Sequence, residues 1–206
     1  LPVEELAPFG HLYEPQITKA LIERCGFLSY PQKVEDYLDS SKGLEFGMGK
    51  WDDLVISKLT IYPGGLAIDT NSSTRDSERI LDEMLLWAKE TLGIKYESSM
   101  FEGKGYLSQL TFKSNRSLNL LNPKLGHFAK TLTKSVSDEI KFTFQYETTA
   151  IILGFDTTHV KPNAATFTVE RKIDTPFSEN KFFSSAPVST ELHLHLLEEF
   201  ETALTT

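Results

Sequence analysis

Two periodicities of apolar residues alternate along this chain, a helical one of three to four positions and a strand one of two, and their order predicts its elements. Ile17, Ala20, Leu21 and Cys25 recur at helical spacing behind Pro15, which suits a first helical turn, until Gly26 supplies a stop. A short helix is predicted over Gln32–Leu38. Residues 40–50, SSKGLEFGMGK, hold three glycines and read as a loop or irregular edge strand. They mark the expected boundary between a small helical N-terminal lobe, 1–43, and an α+β domain, 44–206.

Leu54–Tyr62 and Leu66–Thr70 are β-rich runs on either side of Pro63-Gly64-Gly65, a turn in which proline presets φ and glycine supplies positive φ. After Asn71-Ser72-Ser73-Thr74 a helix is predicted, with Asp76 and Glu78 in its first turn, an apolar face of Ile80, Leu81, Met84, Leu85, Ala88 and Leu92, and Gly93 past its end. Tyr96–Phe101 and Tyr106–Phe112 predict a second hairpin, and Leu118, Leu121, Leu125, Phe128, Ala129, Leu132 and Val136 the inward face of a second long helix. Strands follow at Ile140–Tyr146, Thr149–Phe155 and Ala165–Ile173, then a helix from about Thr190 to Leu204.

The fold class expected from this order is α+β, an antiparallel sheet with helices packed on one face. From Leu66 to Tyr146 the elements run strand, helix, strand, strand, helix, strand, the split βαβ order of a ferredoxin-like core, with extra strands and a C-terminal helix added to it. A spacing of 41 aligns Ile80, Met84, Trp87 and Ala88 with Leu121, Leu125, Phe128 and Ala129, a match that two amphipathic helices produce by chance.

Composition adds limits to this picture. The 206 residues are 40% hydrophobic, enough for one full core. No run approaches the roughly 18 apolar residues of a membrane span. The chain begins with Leu1 rather than Met, which suggests a piece of a longer protein, and its first residues lack the pattern of a signal peptide. Cys25 is the only cysteine, which rules out an internal disulfide and fits a reducing, cytoplasmic setting.

The net charge of −8 argues against general attraction to nucleic acid or anionic lipid, so neither partner is expected. Its distribution is uneven. Between Gly103 and Ser137 there is no Asp or Glu, while Lys104, Lys113, Arg116, Lys124, Lys130 and Lys134 all fall there. On the second long helix His127, Lys130 and Lys134 lie opposite the apolar face, an outward stripe that Lys113 and Arg116 could extend. A stripe of this kind is either a plain solvated face or an anion-facing contact surface.

Three further groups could carry function. Asp174–Pro187, DTPFSENKFFSSAP, reads as a loop whose Phe177, Phe182 and Phe183 either close the core or form a docking patch. Asp156, His159, Glu170 and Arg171 end one strand and occupy the next, where acid/base residues could converge at a sheet edge, with His193 as a further candidate. His193 and His195 resemble a metal pair, but on a helix residues two apart point about 200° apart, so no metal is expected there. With no phosphate-cradling glycine motif, nucleophile elbow, CxxC or HExxH, no cofactor is expected either.

The leading expectation is a non-catalytic protein-binding or assembly module that engages a protein partner or itself through the basic helix face and the aromatic loop. The alternatives are an enzyme built on Asp156, His159, Glu170 and Arg171, and an acidic decoy of nucleic acid.

Overall fold

The structure, a computed structural model, describes residues 6, 14–38, 42–100, 103–156, 158 and 165–204. Internal contacts divide the chain into two compact units, Leu1–Lys104 and Gly105–Thr206.

In the first unit, β1 (Leu44–Trp51), β2 (Leu54–Tyr62) and β3 (Gly65–Thr70) form an antiparallel meander in the order β1-β2-β3. Trp51 pairs with Leu54 across a two-residue turn whose Asp52 has φ +50°, and Tyr62 pairs with Gly65 across Pro63-Gly64. The α-helices among its described residues are α1 (Glu14–Cys25), α2 (Val34–Leu38) and α3 (Thr74–Leu92). Helix α3 is bounded by local chemistry. The Ser73 hydroxyl accepts from the Asp76 amide at 3.1 Å, and Gly93 ends the helix at φ +70°.

One core joins helices and sheet in this unit: Leu21 and Cys25 of α1, Phe27, Phe46 and Trp51, Ile56 and Leu59, and Ile80 and Met84 of α3. The boundary expected after residue 43 lies inside it. Residues 44–50 belong to the edge strand β1, which is irregular at Met48, where φ is +54°. Glycine is needed at position 49 because a Cβ there would meet the Phe27 ring at 2.5 Å. The outer side of β1 is partly covered by the chain just after α1. Ser29 and Gly47 exchange backbone hydrogen bonds of 3.1 and 2.8 Å.

The second unit contains β4 (Ser108–Lys113), α4 (Pro123–Ile140), β5 (Ala150–Leu153), β6 (Phe167–Arg171), β7 (Lys181–Ala186) and α5 (Thr190–Ala203). Its sheet is antiparallel in the order β4-β7-β6-β5. Leu118, Val169, Phe182 and Leu197 are its buried core, with Leu110, Phe112, Ile151, Phe167 and Phe200 packed around them. No side chain of α4 belongs to that cluster.

The protein is therefore α+β with two antiparallel sheets and a C-terminal helix, but the ferredoxin-like arrangement expected from Leu66 to Tyr146 is not formed. Its first strand is β3 of one sheet, its third is β4 of the other, and these sheets share no strand. Among the described residues of the expected strand Tyr96–Phe101, none pairs in a hairpin. Tyr96 is buried with Leu6, Leu85 and Ile94, and Ser98–Met100 makes a 3-10 turn. The alternation from Ile140 to Tyr146 is present without a sheet to receive it. Lys141 takes φ +59° and ends α4, and the chain returns along the helix, where the Phe144 amide donates to Ser137 Oγ at 3.2 Å and the Tyr146 amide to Thr133 Oγ1 at 2.9 Å. Two residues of extended chain advance ~6.6 Å and four of helix ~6 Å, so the two sets of partners stay in step.

Both units follow one plan of helix, three-stranded meander and helix. Strands β3 and β7 are each six residues long, and each leads through three residues to a helix whose N-cap is Ser73 or Ser189, 116 positions apart. At that spacing Ile80-Leu81-Asp82-Glu83-Met84 matches Leu196-Leu197-Glu198-Glu199-Phe200. Helices α1 and α4 both end at a residue of positive φ, Gly26 and Lys141, followed by Phe27 and Phe142. The 41-residue spacing pairs α3 with α4, whereas the repeated plan pairs α3 with α5 and α1 with α4.

Candidate functional site

The expected core face of α4 is divided, with Leu132 and Val136 half-buried and Leu125 and Phe128 exposed. Ala129 is its only buried residue, while Phe128 is 60% and Leu125 44% exposed. Beside it lie Ile140 (59%), Phe142 (68%), Phe144 and Tyr146, with the Phe142 and Phe144 rings 5.5 Å apart. Further on, Ile152 and Leu153 of the edge strand β5 are each 61% exposed, and Phe155 is exposed as well. Exposed apolar surface on this scale exceeds what single scattered hydrophobics need, and such surfaces mark contact sites. The basic stripe keeps its expected place. His127, Lys130 and Lys134 are exposed on α4, as are Lys113 at the end of β4 and Arg116 after it.

The charges on α4 run against its dipole. Lys124 sits in a first turn that holds no acidic residue, and the last turn holds no basic one, only Asp138 and Glu139. Helix α3 shows the stabilising order, with Asp76 in its first turn and Lys89 in its last. Each reversed charge forgoes roughly 0.3–1 kcal/mol, so helix stability does not account for the basic face of α4.

The aromatic segment is not one loop. Phe177 begins a 3-10 turn, Phe177–Glu179, and Lys181–Ala186 is β7, whose alternation turns Phe182, Ser184 and Ala186 inward. Phe182 is fully buried, Phe183 lies half-buried on the other side of the strand, and the docking patch expected of the two is absent. Sequence reading missed this strand because Lys181-Phe182-Phe183-Ser184-Ser185-Ala186 puts two aromatics side by side and two serines after them, with no clean alternation.

Arg171 organises the neighbourhood of Phe177. Its guanidinium bonds Glu147 Oε2 at 2.5 Å and the Phe177 carbonyl at 3.0 Å, and lies 4.5 Å from the centre of the Phe177 ring. Gln145 donates to the other Glu147 oxygen at 2.6 Å. A recess of about 580 Å³ opens here, lined by Ser117, Gln145, Glu147, Pro176, Phe177, Ser178 and Asn180. Its carboxylate is already neutralised by Arg171, so the recess offers hydrogen bonds and one aromatic ring rather than a free charge.

The expected acid/base group does not assemble around it. Asp156 is exposed and bonds the Thr158 amide and hydroxyl, which hold its carboxyl below the usual range. Glu170 is exposed, and His159 lies outside the described residues. His193 is fully buried elsewhere in the unit. The Ser184 hydroxyl donates to the Thr168 carbonyl at 2.7 Å, so at 2.8 Å it must accept from His193 Nε2, which carries the proton. Nδ1 then accepts from the Ser108 hydroxyl at 3.0 Å. The Phe167 ring packs nearly edge-on, 6.1 Å away, and burial pushes the His193 pKa down. This neutral imidazole fastens α5 to β4 and β7. His195 is exposed on the other side of α5, 3.9 Å from Glu198, and among the described residues no three His, Cys, Asp or Glu side chains gather as metal ligands. Cys25, buried in the first unit, has a thiol raised by desolvation to about 11.

Fold and surface together define a chain of two α+β units, the second exposing apolar residues of α4, the segment after it and β5; among the described residues no helix is long and apolar enough to cross a membrane. No family model matches the chain, nor does any curated protein or solved structure.

Proposed function

We propose that this protein is a non-catalytic protein-binding or assembly module whose contact surface is the exposed side of α4 with the returning segment 142–146. The observation that carries this reading is the exposure of Phe128, Ile140 and Phe142 on one amphipathic helix and the chain tied to it. In the first unit α1 occupies the corresponding place and buries Leu21 and Cys25. Helix α4 keeps Leu125, Phe128 and Ile140 largely in water, and water rejects them by about 25 cal/mol per Å². A partner surface would recover that energy. The reversed charges of α4 support the same reading, because His127, Lys130 and Lys134 put positive charge on the side of the helix away from the apolar residues, where it can steer an acidic partner toward this element.

The test is a double variant, Phe128→Ser with Phe142→Ser, compared with the wild type by sedimentation velocity and circular dichroism. The expected result is an unchanged fold and a complete loss of association, because neither side chain belongs to the core. Association that survives both changes would refute the reading. Lys130→Glu with Lys134→Glu should slow association and flatten its salt dependence.

A further inference from the structure

We propose that the recess beside Arg171 is a binding site for a neutral saccharide, one ring of which lies on Phe177 with its hydroxyls bonded to Glu147, Gln145 and Asn180. The site is separate from the α4 reading: neither Phe128 nor Phe142 lines it, and each stands or falls without the other.

The wall is built around an ion pair that stability alone does not explain. The side chains of Arg171 and Glu147 are only 6% and 16% exposed. Taking two charges out of water costs about what their attraction returns, and packed apolar residues of the same volume serve a core as well. The pairing is also incomplete. A carboxylate placed for greatest strength takes Nε and Nη2 of one guanidinium edge together, as a fork. Glu147 bonds Nη2 alone, and among the described residues the buried Nε has no hydrogen-bond partner. Gln145 is the reason. Its amide donates to the other Glu147 oxygen at 2.6 Å and holds the carboxylate at the recess, which both residues line. An unpaired buried N–H is destabilising, so this carboxylate is placed for something besides Arg171. The facing turn is fixed as well, since the Phe177 carbonyl accepts from Arg171 Nη1 at 3.0 Å and from the Asn180 amide at 3.2 Å.

The lining groups define the class of ligand. The volume of about 580 Å³ lies within the roughly 300–1,000 Å³ of small-molecule sites. An ion gains little there, because Arg171 already answers the Glu147 charge and no other charged side chain lines the recess among the described residues. Each Glu147 oxygen accepts one bond and keeps a lone pair for another. The hydroxyls of Ser117 and Ser178 and the amide of Asn180 can donate as well as accept. Hydroxyl groups suit this mixture, since each also donates and accepts, and a bond from a hydroxyl to a fixed carboxylate is charge-assisted. The apolar part of the wall is Phe177 with Pro176. The Arg171 guanidinium covers one face of the Phe177 ring, which leaves a single face for stacking. A sugar ring matches that division, with C–H bonds on its face and hydroxyls along its edge. A flat heterocycle finds no second ring among the lining residues to enclose it.

The experiment is saturation-transfer NMR on the whole protein with methyl glycosides of glucose, galactose, mannose and N-acetylglucosamine and with cellobiose, maltose and lactose. Acetate and methylammonium serve as charged probes. The expected results are saturation of the C–H groups on one face of a sugar and shifts of the Gln145 and Asn180 side-chain amides, with no such shift from either ion. Phe177→Ala and Gln145→Ala should each weaken that sugar about tenfold. Gln145 is exposed and outside the core, so Gln145→Ala keeps the fold even if Phe177→Ala, which strips a contact from Arg171, does not. Binding of none of these sugars overturns the proposal. So does a sugar that binds Gln145→Ala as tightly as the wild type, or an ion that shifts the two amides in place of a sugar. The α4 reading is judged apart from all of these, by the association of Phe128→Ser with Phe142→Ser.

Discussion

His193 shows how one buried side chain sets the pH range of a unit. Its neutral ring donates to Ser184 and accepts from Ser108, and no exposed surface remains through which water could solvate a charged form. Unfolding frees the ring to take up a proton near pH 6.5, while burial holds the folded pKa below that value. The contribution to stability is therefore complete above about 6.5 and is lost as pH falls through that value toward the folded pKa. Urea unfolding followed by circular dichroism should show the second unit weakening over that window. His193→Ala should lack this component and be less stable at neutral pH by about 3 kcal/mol, through a cavity and two hydroxyls short of a partner. The sequence shows His193 on the apolar side of a helix, but its partners Ser108 and Ser184 lie on strands 85 and 9 positions away, where serine carries no distinguishing signal.

Elements that are bounded by local chemistry are the ones a sequence announces. Helix α3 begins and ends within a residue or two of its predicted limits because Ser73 and Gly93 act on their immediate neighbours. The hairpin around Pro63-Gly64 is legible for the same reason. Ser73 and Ser189 make the same cap in the two units, so Ser73→Ala and Ser189→Ala should each cost about 1 kcal/mol in thermal unfolding, reporting on different units. Elements that depend on a distant partner are read less well. The run from Ile140 to Tyr146 has strand alternation but bonds helix hydroxyls, while β7 has poor alternation and becomes a central strand because β4 and β6 flank it.

At the scale of the whole molecule the two units differ in charge and in their reporters. Residues to Lys104 include 18 acidic and 11 basic side chains, while those from Gly105 include 11 and 10, so most of the net negative charge belongs to the first unit. Both tryptophans, Trp51 and Trp87, also lie there, packed edge to face at 6.1 Å. Acidification from pH 7 toward 5.5 should therefore lower a melting transition seen by circular dichroism while tryptophan fluorescence reports a nearly unchanged one. A single shared shift in both signals would show that the units unfold together.

By itself the sequence determined the α+β class, most helices, the Pro63-Gly64 turn and the amphipathic pattern of the helices, since propensity, capping and periodicity act over a few neighbouring residues. Only the tertiary structure decided that the strands divide into two sheets, that Phe182 is core, that Arg171 answers Glu147, and that Leu125 and Phe128 of α4 are left in water. Periodicity states that a face is apolar; whether anything in the chain covers it depends on pairings between residues far apart in sequence, which no local pattern encodes.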